Sequence, residues 1–270
     1  MPVDSRPVCI GLVLSAGGLR GAAHLGVLRR LVQHDIPVEV IVGVSAGAII
    51  ASYYAAVGLT ADEMISNAPA FRGRHILMHG VTLRVHQSLK PYLRRFCGVI
   101  PQRLDQLEAA TFTTLHHGIQ RLGVVCHDLD RHEPRYFSTT DSHGVRLSDV
   151  ARASAAIPGV MPPKVMTVAH NVVRLADGGL SDSLPVDFAR SRALGATHLI
   201  ASDCRYSAPN PPDAEEGLVY LRPNLDGIKP LRAPRAALMQ AVERGEAAVT
   251  DAAIDRIRNW TLVPLASVLA

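Results

Sequence analysis

"VEVIVGVSAGAIIASYYAAVGL", residues 38–59, carries no charge from Val40 to Leu59. About twenty uncharged residues are long enough to cross a bilayer as one helix. Two local features oppose that reading. The first six residues, "VEVIVG", are β-branched and short, the composition of a buried strand. Gly43 and Gly47 then bracket a break that a continuous helix would not hold. The stretch therefore divides into a strand over 38–43, a sharp turn at Ser45 and a helix over 46–58. That helix is hydrophobic nearly all round, hence buried.

Upstream the same unit precedes it. "VCIGLVLS" (8–15) is an apolar run that ends in a glycine loop, and "RGAAHLGVLRRLVQH" (20–34) has helical spacing. Ala23, Val27, Leu28 and Leu31 fall on one stripe of that helix. Strand, helix, strand, helix implies parallel strands joined by crossovers, an α/β fold. "RLGVVCHDLD" (121–130) and "HLIASDC" (198–204) read as further buried strands. Residues 60–105 read as helical and irregular, and the Pro- and Gly-rich 208–217 as a surface loop. The end is amphipathic, with Leu238, Val242, Val249, Ala253 and Ile257 at helical spacing. Neither an internal repeat nor a domain boundary is visible, so one domain over 1–270 is expected.

Composition narrows the function. The chain has 270 residues, 48% hydrophobic and 19% charged, the balance of a globular protein with a sizeable core. Aromatics are only 4%, too few for a stacking platform on single-stranded nucleic acid, and no nucleic-acid partner is expected. The net charge of +4 is mild but uneven. Met64 to Leu104 has no Asp or Glu, yet holds Arg72, Arg74, Arg84, Lys90, Arg94, Arg95 and Arg103. This stretch, 72–103, is either a contact for anionic lipid headgroups or a solvated helical surface. Cys9, Cys97, Cys126 and Cys204 lie far apart and suggest free thiols in a reducing compartment. The N-terminus lacks the basic start of a signal peptide. These features point to a cytoplasmic protein, with peripheral contact at the inner membrane surface through 72–103.

Three motifs carry chemistry. Gly43-Val44-Ser45-Ala46-Gly47 is G-x-S-x-G at a strand-to-helix turn, the form of a nucleophile elbow. The glycines permit the tight turn, and the helix behind Ser45 aims its positive end at the reacting oxygen. The second motif is "SAGGLRGAAHLG", residues 15–26. Free N–H groups around Gly17, Gly18, Leu19, Arg20 and Gly21 suit either a pyrophosphate or an oxyanion. A dinucleotide cradle would want glycine where Ala16 stands and an acid ending the next strand. That strand ends instead in Gly43-Val44-Ser45, and no P-loop lysine follows the glycines. An oxyanion hole is the better fit. Arg20 is either an orienting charge for the loop or a surface arginine, and His24 reads as a packed histidine. The third motif is Asp177-Gly178-Gly179, a base or a turn. Beyond it the sole histidine is His198, inside an apparent strand. A Ser-Asp-His triad would need a histidine on a late loop.

Four blocks together resemble the patatin-like phospholipases, in particular their compact bacterial members. They are the loop Ala16–Gly21 with His24-Leu25-Gly26, the elbow Gly43–Gly47, "ARASAAIPGVMPPK" (151–164) and Asp177-Gly178-Gly179 with "LPVD" after it. The resemblance covers about two thirds of the chain. The family usually has glycine where this chain has Ala16. The resemblance implies a three-layer α/β/α sandwich with a mostly parallel central sheet. It also implies a Ser45–Asp177 dyad without histidine, hydrolysing a phospholipid or other fatty acyl ester. No metal and no cofactor are expected. An acyltransferase using the same acyl-enzyme, and a decayed membrane-binding protein, remain as alternatives.

Overall fold

The computed structural model describes residues 7–67, 106–142, 144–207, 215–232 and 234–262. The basic stretch 72–103 and Cys97 lie outside the described residues. Among the described residues eight strands form one sheet. They are β1 (Ile10–Leu14), β2 (Val40–Val44), β3 (Arg121–Asp128), β4 (Glu133–Ser138), β5 (Lys164–Val168), β6 (Asn171–Asp177), β7 (His198–Ser202) and β8 (Leu218–Leu221). The order is β5-β6-β3-β2-β1-β7-β8, with β4 also paired to β3. β1, β2, β3, β7 and β8 run parallel, while β4 and β6 run antiparallel to β3, and β5 to β6.

Side chains alternate across this sheet, and both faces are apolar. Ile10, Leu12, Leu14, Ile41, Leu122 and Val124 face one core. That core is closed by α1 (Ala22–Gln33), α2 (Ala46–Ser52), α4 (Leu147–Ser154), α6 (Arg235–Ala248) and α7 (Asp251–Leu262). α3 (Ala61–Asn67) packs on the same side against α1. Val13, Val40, Val42, Val44 and Val125 face the other core, with Phe188 and Ala189 of α5 (Val186–Arg190) and with Leu194. Strands buried on both faces need continuous apolar sequence, which is why β1 and β2 read so clearly. Val40–Leu59 is divided as expected, into β2, the turn at Ser45, α2 and a π-helical turn Tyr53–Val57. Among the described residues no helix is long and apolar enough to cross a membrane.

The amphipathic end forms two helices, α6 and α7. Thr250 separates them, its hydroxyl accepting the Ala253 N–H at 3.2 Å as a helix cap. Leu238, Val242, Val249 and Ile257 nevertheless all stay buried. The antiparallel strands β4, β5 and β6 and the edge strand β8 were not expected as strands.

The antiparallel part positions the site. Arg121 N–H donates to Glu39 O, and Leu129 N–H donates to Arg174 O. Along a strand alternate N–H groups point to the same flank, so β2 and β6 lie on one flank of β3. Thr139 N–H bonds Leu122 O on the opposite flank, where β4 lies. β2 and β6 thus share a lane and run towards each other. Val44 pairs with Val125, and Asp177 pairs with the next residue, Cys126. Ser45 leaves the end of β2 where Asp177 ends β6.

Candidate active site

At that junction Ser45 Oγ donates to Asp177 Oδ2 at 2.6 Å, across 132 positions of sequence. Ser45 is 4% exposed and Asp177 7%. Ser45 has φ 56° and ψ −119°, a conformation that side-chain-bearing residues avoid. Such a strained residue costs about 1–3 kcal/mol and must be held by its surroundings. A Cβ on Gly43 would strike the Gly47 carbonyl, and one on Gly47 would strike the Leu14 carbonyl. The two elbow glycines therefore answer to close backbone approach. A Cβ on Gly178 would in turn strike the Val125 carbonyl.

Among the described residues Asp177 has no cation beside it. Burial pushes its carboxyl up to about 6, against hydrogen bonds from Ser45 and from the Gly179 N–H that lower it. Gly179 N–H reaches Oδ1 at 2.8 Å, leaving Oδ2 to Ser45. An exposed aspartate titrates near 3.9 and would be a weak base for a serine. The buried one lies closer to neutral pH, where a general base is most effective.

The glycine loop packs on both motifs. A Cβ on Gly21 would come 2.6 Å from Ala46 Cβ, and one on Gly179 would come 3.0 Å from Ala16 Cβ. Ala16 N–H donates to Ser183 O at 2.9 Å, and Ala16 has no positive φ, so alanine fits there. Gly18 has φ 55°, and a Cβ there would strike the Pro230 carbonyl. Two of the expected oxyanion residues need correction. Leu19 N–H is committed to Pro230 O at 2.7 Å, and Arg20 N–H to Gly17 O at 3.1 Å. The N–H groups of Gly17 and Gly18 have no acceptor among the described residues.

Arg20 is buried, not a surface residue. Its guanidinium donates to four backbone carbonyls: Cys204 at 2.9 Å, Leu225 at 2.8 Å, Ile228 at 2.9 Å and Arg205 at 3.2 Å. It clamps the loops after β7 and β8 around the glycine loop, which is the orienting role. His24 is also internal. Its Nε2 lies 3.0 Å from Ser15 O, which can only accept, so Nδ1 is left to accept from Ser202 Oγ at 2.8 Å. Burial lowers His24 to about 4, so it is neutral and occupied at neutral pH. His198 begins β7, level with Ile10, whereas Gly43 is level with Leu14. Four residues of strand put it at least about 13 Å from the Ser45 end of the sheet. Among the described residues no histidine hydrogen-bonds Ser45 or Asp177.

Sequence reading missed one polar contact of the elbow. Ser45 N–H donates to Ser154 Oγ at 2.9 Å. Ser154 falls in the small-residue block 151–164, whose low bulk signals close packing but not which hydroxyl is used.

A serine on a strained strand-to-helix turn thus meets a buried carboxylate, with a glycine loop alongside. A sequence model of the patatin-like phospholipases matches residues 12–190, and the chain belongs to that family. It is 29% identical over 207 residues to lysophospholipase NTE1 of Candida albicans, covering 72% of this chain and 13% of that protein. It is 30% identical over 215 residues to lysophospholipase NTE1 of Coccidioides immitis, covering 74% of this chain and 12% of that one. The chain thus spans about an eighth of the length of these relatives. VipD from Legionella pneumophila superposes with a TM-score of 0.58 at 16% identity, over 94% of this chain and 68% of that one. A chain of the ExoU–SpcU heterodimer of Pseudomonas aeruginosa superposes with 0.51 at 17%, over 94% and 53%. Both likenesses concern the fold.

Proposed function

We propose that the chain hydrolyses fatty acyl esters of lipids, as a phospholipase A or lysophospholipase, through Ser45 and Asp177. Ser45 Oγ attacks the ester carbonyl while Asp177 Oδ2 takes its proton. The carbonyl oxygen becomes an oxyanion against the N–H groups of Gly17 and Gly18. Collapse expels the alcohol, which recovers the proton from Asp177 and leaves an acyl-Ser45 ester. Asp177 then takes a proton from water, whose oxygen attacks that ester. The fatty acid departs, and the proton returns to Ser45.

The observation that carries this reading is the 2.6 Å contact of Ser45 Oγ with a carboxyl raised to about 6. The names of the relatives favour a lysophospholipid among lipid substrates. Contact of the basic stretch 72–103 with anionic lipid belongs to the same proposal. The test is a panel of phospholipids and lysophospholipids, read by mass spectrometry, with wild type and Ser45→Ala. Fatty acid release by wild type alone is expected. Release by pure Ser45→Ala at a comparable rate would overturn the reading.

A further inference from the structure

Ser45 sits in a strained conformation, and something must hold it there. Ser154 ends α4, whose Leu147, Val150 and Ala151 are buried, so its hydroxyl projects from a fixed element. Ser154 Oγ lies 2.5 Å from the Val125 carbonyl and 2.9 Å from the Ser45 nitrogen. A carbonyl only accepts, so the hydroxyl proton goes to Val125 and the oxygen lone pair receives the Ser45 N–H. Val125 is the register partner of Val44, the last residue before the elbow. Two residues further on, the Ala156 carbonyl accepts the Asp177 N–H at 3.1 Å. One short segment therefore ties the backbone N–H of both reacting residues.

We propose that Ser154 is a positioning residue for acyl transfer. Its hydroxyl holds the Ser45 backbone at φ 56°, while the Ala156 carbonyl beyond it fixes Asp177. The assignment rests on the Ser45–Asp177 reading above. It also removes the Ser45 N–H from the oxyanion donors, because that group is already bonded. Without the hydroxyl, a buried N–H and a buried C=O both lose their partner. The elbow can then relax towards ordinary φ, drawing Ser45 Oγ off the line of attack and away from Asp177.

The test compares purified full-length wild type, Ser154→Ala, Ser154→Thr and Ser45→Ala. A fluorophosphonate probe gives both a labelling rate and a final extent, and a soluble short-chain ester gives kcat and KM. For Ser154→Ala, the labelling rate and kcat are expected to fall about tenfold to a hundredfold, the scale of a slightly misplaced attacking group. KM should stay within about twofold, and labelling should still reach one probe per chain. Ser154→Thr, which keeps the hydroxyl, should recover most of the rate. A merely structural serine would behave otherwise: melting point and final extent would drop, with the rate per labelled chain unchanged. That outcome for Ser154→Ala overturns the proposal. Should the added methyl keep Ser154→Thr from folding, the rate and extent of Ser154→Ala decide alone. Persistent turnover by Ser45→Ala would instead overturn the dyad reading itself.

Discussion

Asp177 and Asp203 both stand at the end of a strand and are both buried, 7% and 1% exposed. Their carboxyls nevertheless shift in opposite directions. Arg205 enters the interior with Asp203, its Nε at 2.9 Å from Oδ1 and its Nη2 at 2.8 Å from Oδ2, and Tyr220 OH also donates to Oδ2. Burial alone would raise Asp203, but these partners hold it below its ordinary value. Among the described residues only a hydroxyl and one N–H bond the Asp177 carboxylate, and burial wins. A buried carboxyl is raised towards neutral pH where no cation accompanies it. With a cation beside it, the same group is a structural tie. Here the tie serves the site, because Arg205 Nη1 also holds Ser183 Oγ at 3.1 Å, and Ser183 O receives the Ala16 N–H.

The sharpest way to break this contrast is to neutralise each carboxyl in turn. Asp177→Asn cannot take the Ser45 proton and is expected to lose about 10³- to 10⁴-fold in kcat while remaining folded. Asp203→Asn should keep kcat per folded chain within a few-fold. Ester hydrolysis assayed with folded protein quantified by circular dichroism checks both. An active Asp177→Asn beside a folded but inactive Asp203→Asn would reverse the assignment.

Stability should change with opposite sign. Asp203→Asn leaves Arg205 without its carboxylate and should lose about 3 kcal/mol in urea unfolding, the scale for breaking a buried pair. Asp177 has its folded value raised from 3.8 to about 6. The native state therefore holds the extra proton between those values, and stability is lost as pH rises through 6. Asp177→Asn should gain up to about 3 kcal/mol at pH 7 and nothing near pH 3. Equal unfolding curves at both pH values would mean that Asp177 is not desolvated.

The pH–rate profile sharpens the contrast further. The acidic limb of kcat/KM should fall near 6, far above an ordinary aspartate. Position alone does not separate Asp177 from an imidazole near 6.5. Temperature does, because carboxyl ionisation barely shifts on warming whereas imidazole ionisation does. A limb that moves like an imidazole would restore a histidine. The smallest effect is expected at His198→Ala. His198 touches Thr197 at 3.0 Å and the Trp260 ring at 5.0 Å, at the far end of the sheet. About 1 kcal/mol of stability and no change in kcat are expected, read by thermal unfolding and ester turnover.

Legibility followed burial. β1, β2, β3 and β7 are apolar on both faces and announced themselves by composition. β5 and β6 did not, because Val165 and Val172 lie exposed on one face beside Arg174 and blur the alternation. Pro134 and the charges of Glu133 and Arg135 hid β4 in the same way. Gly43, Gly47 and Ser45 were readable because an elbow is local steric chemistry. Leu19 and Arg20 were misread as oxyanion donors because their N–H partners are Pro230, far along the chain, and Gly17, within the loop's own turn.

The sequence by itself determined four of the parallel strands, β1, β2, β3 and β7, the elbow at Ser45 and the glycine loop before it. Each is dictated by residues within a few positions, through periodicity and the space a Cβ would take. Asp177 stood in the sequence only as a base or a turn, until resemblance to a family paired it with Ser45. The tertiary structure alone decided that β6 enters the lane of β2 and brings Asp177 Oδ2 to 2.6 Å from Ser45 Oγ. It also decided that Arg205 accompanies Asp203 while no cation among the described residues accompanies Asp177, and that Ser154 takes the Ser45 N–H. Desolvation and strand register depend on what the rest of the chain packs against a residue, and neighbours in sequence do not specify that.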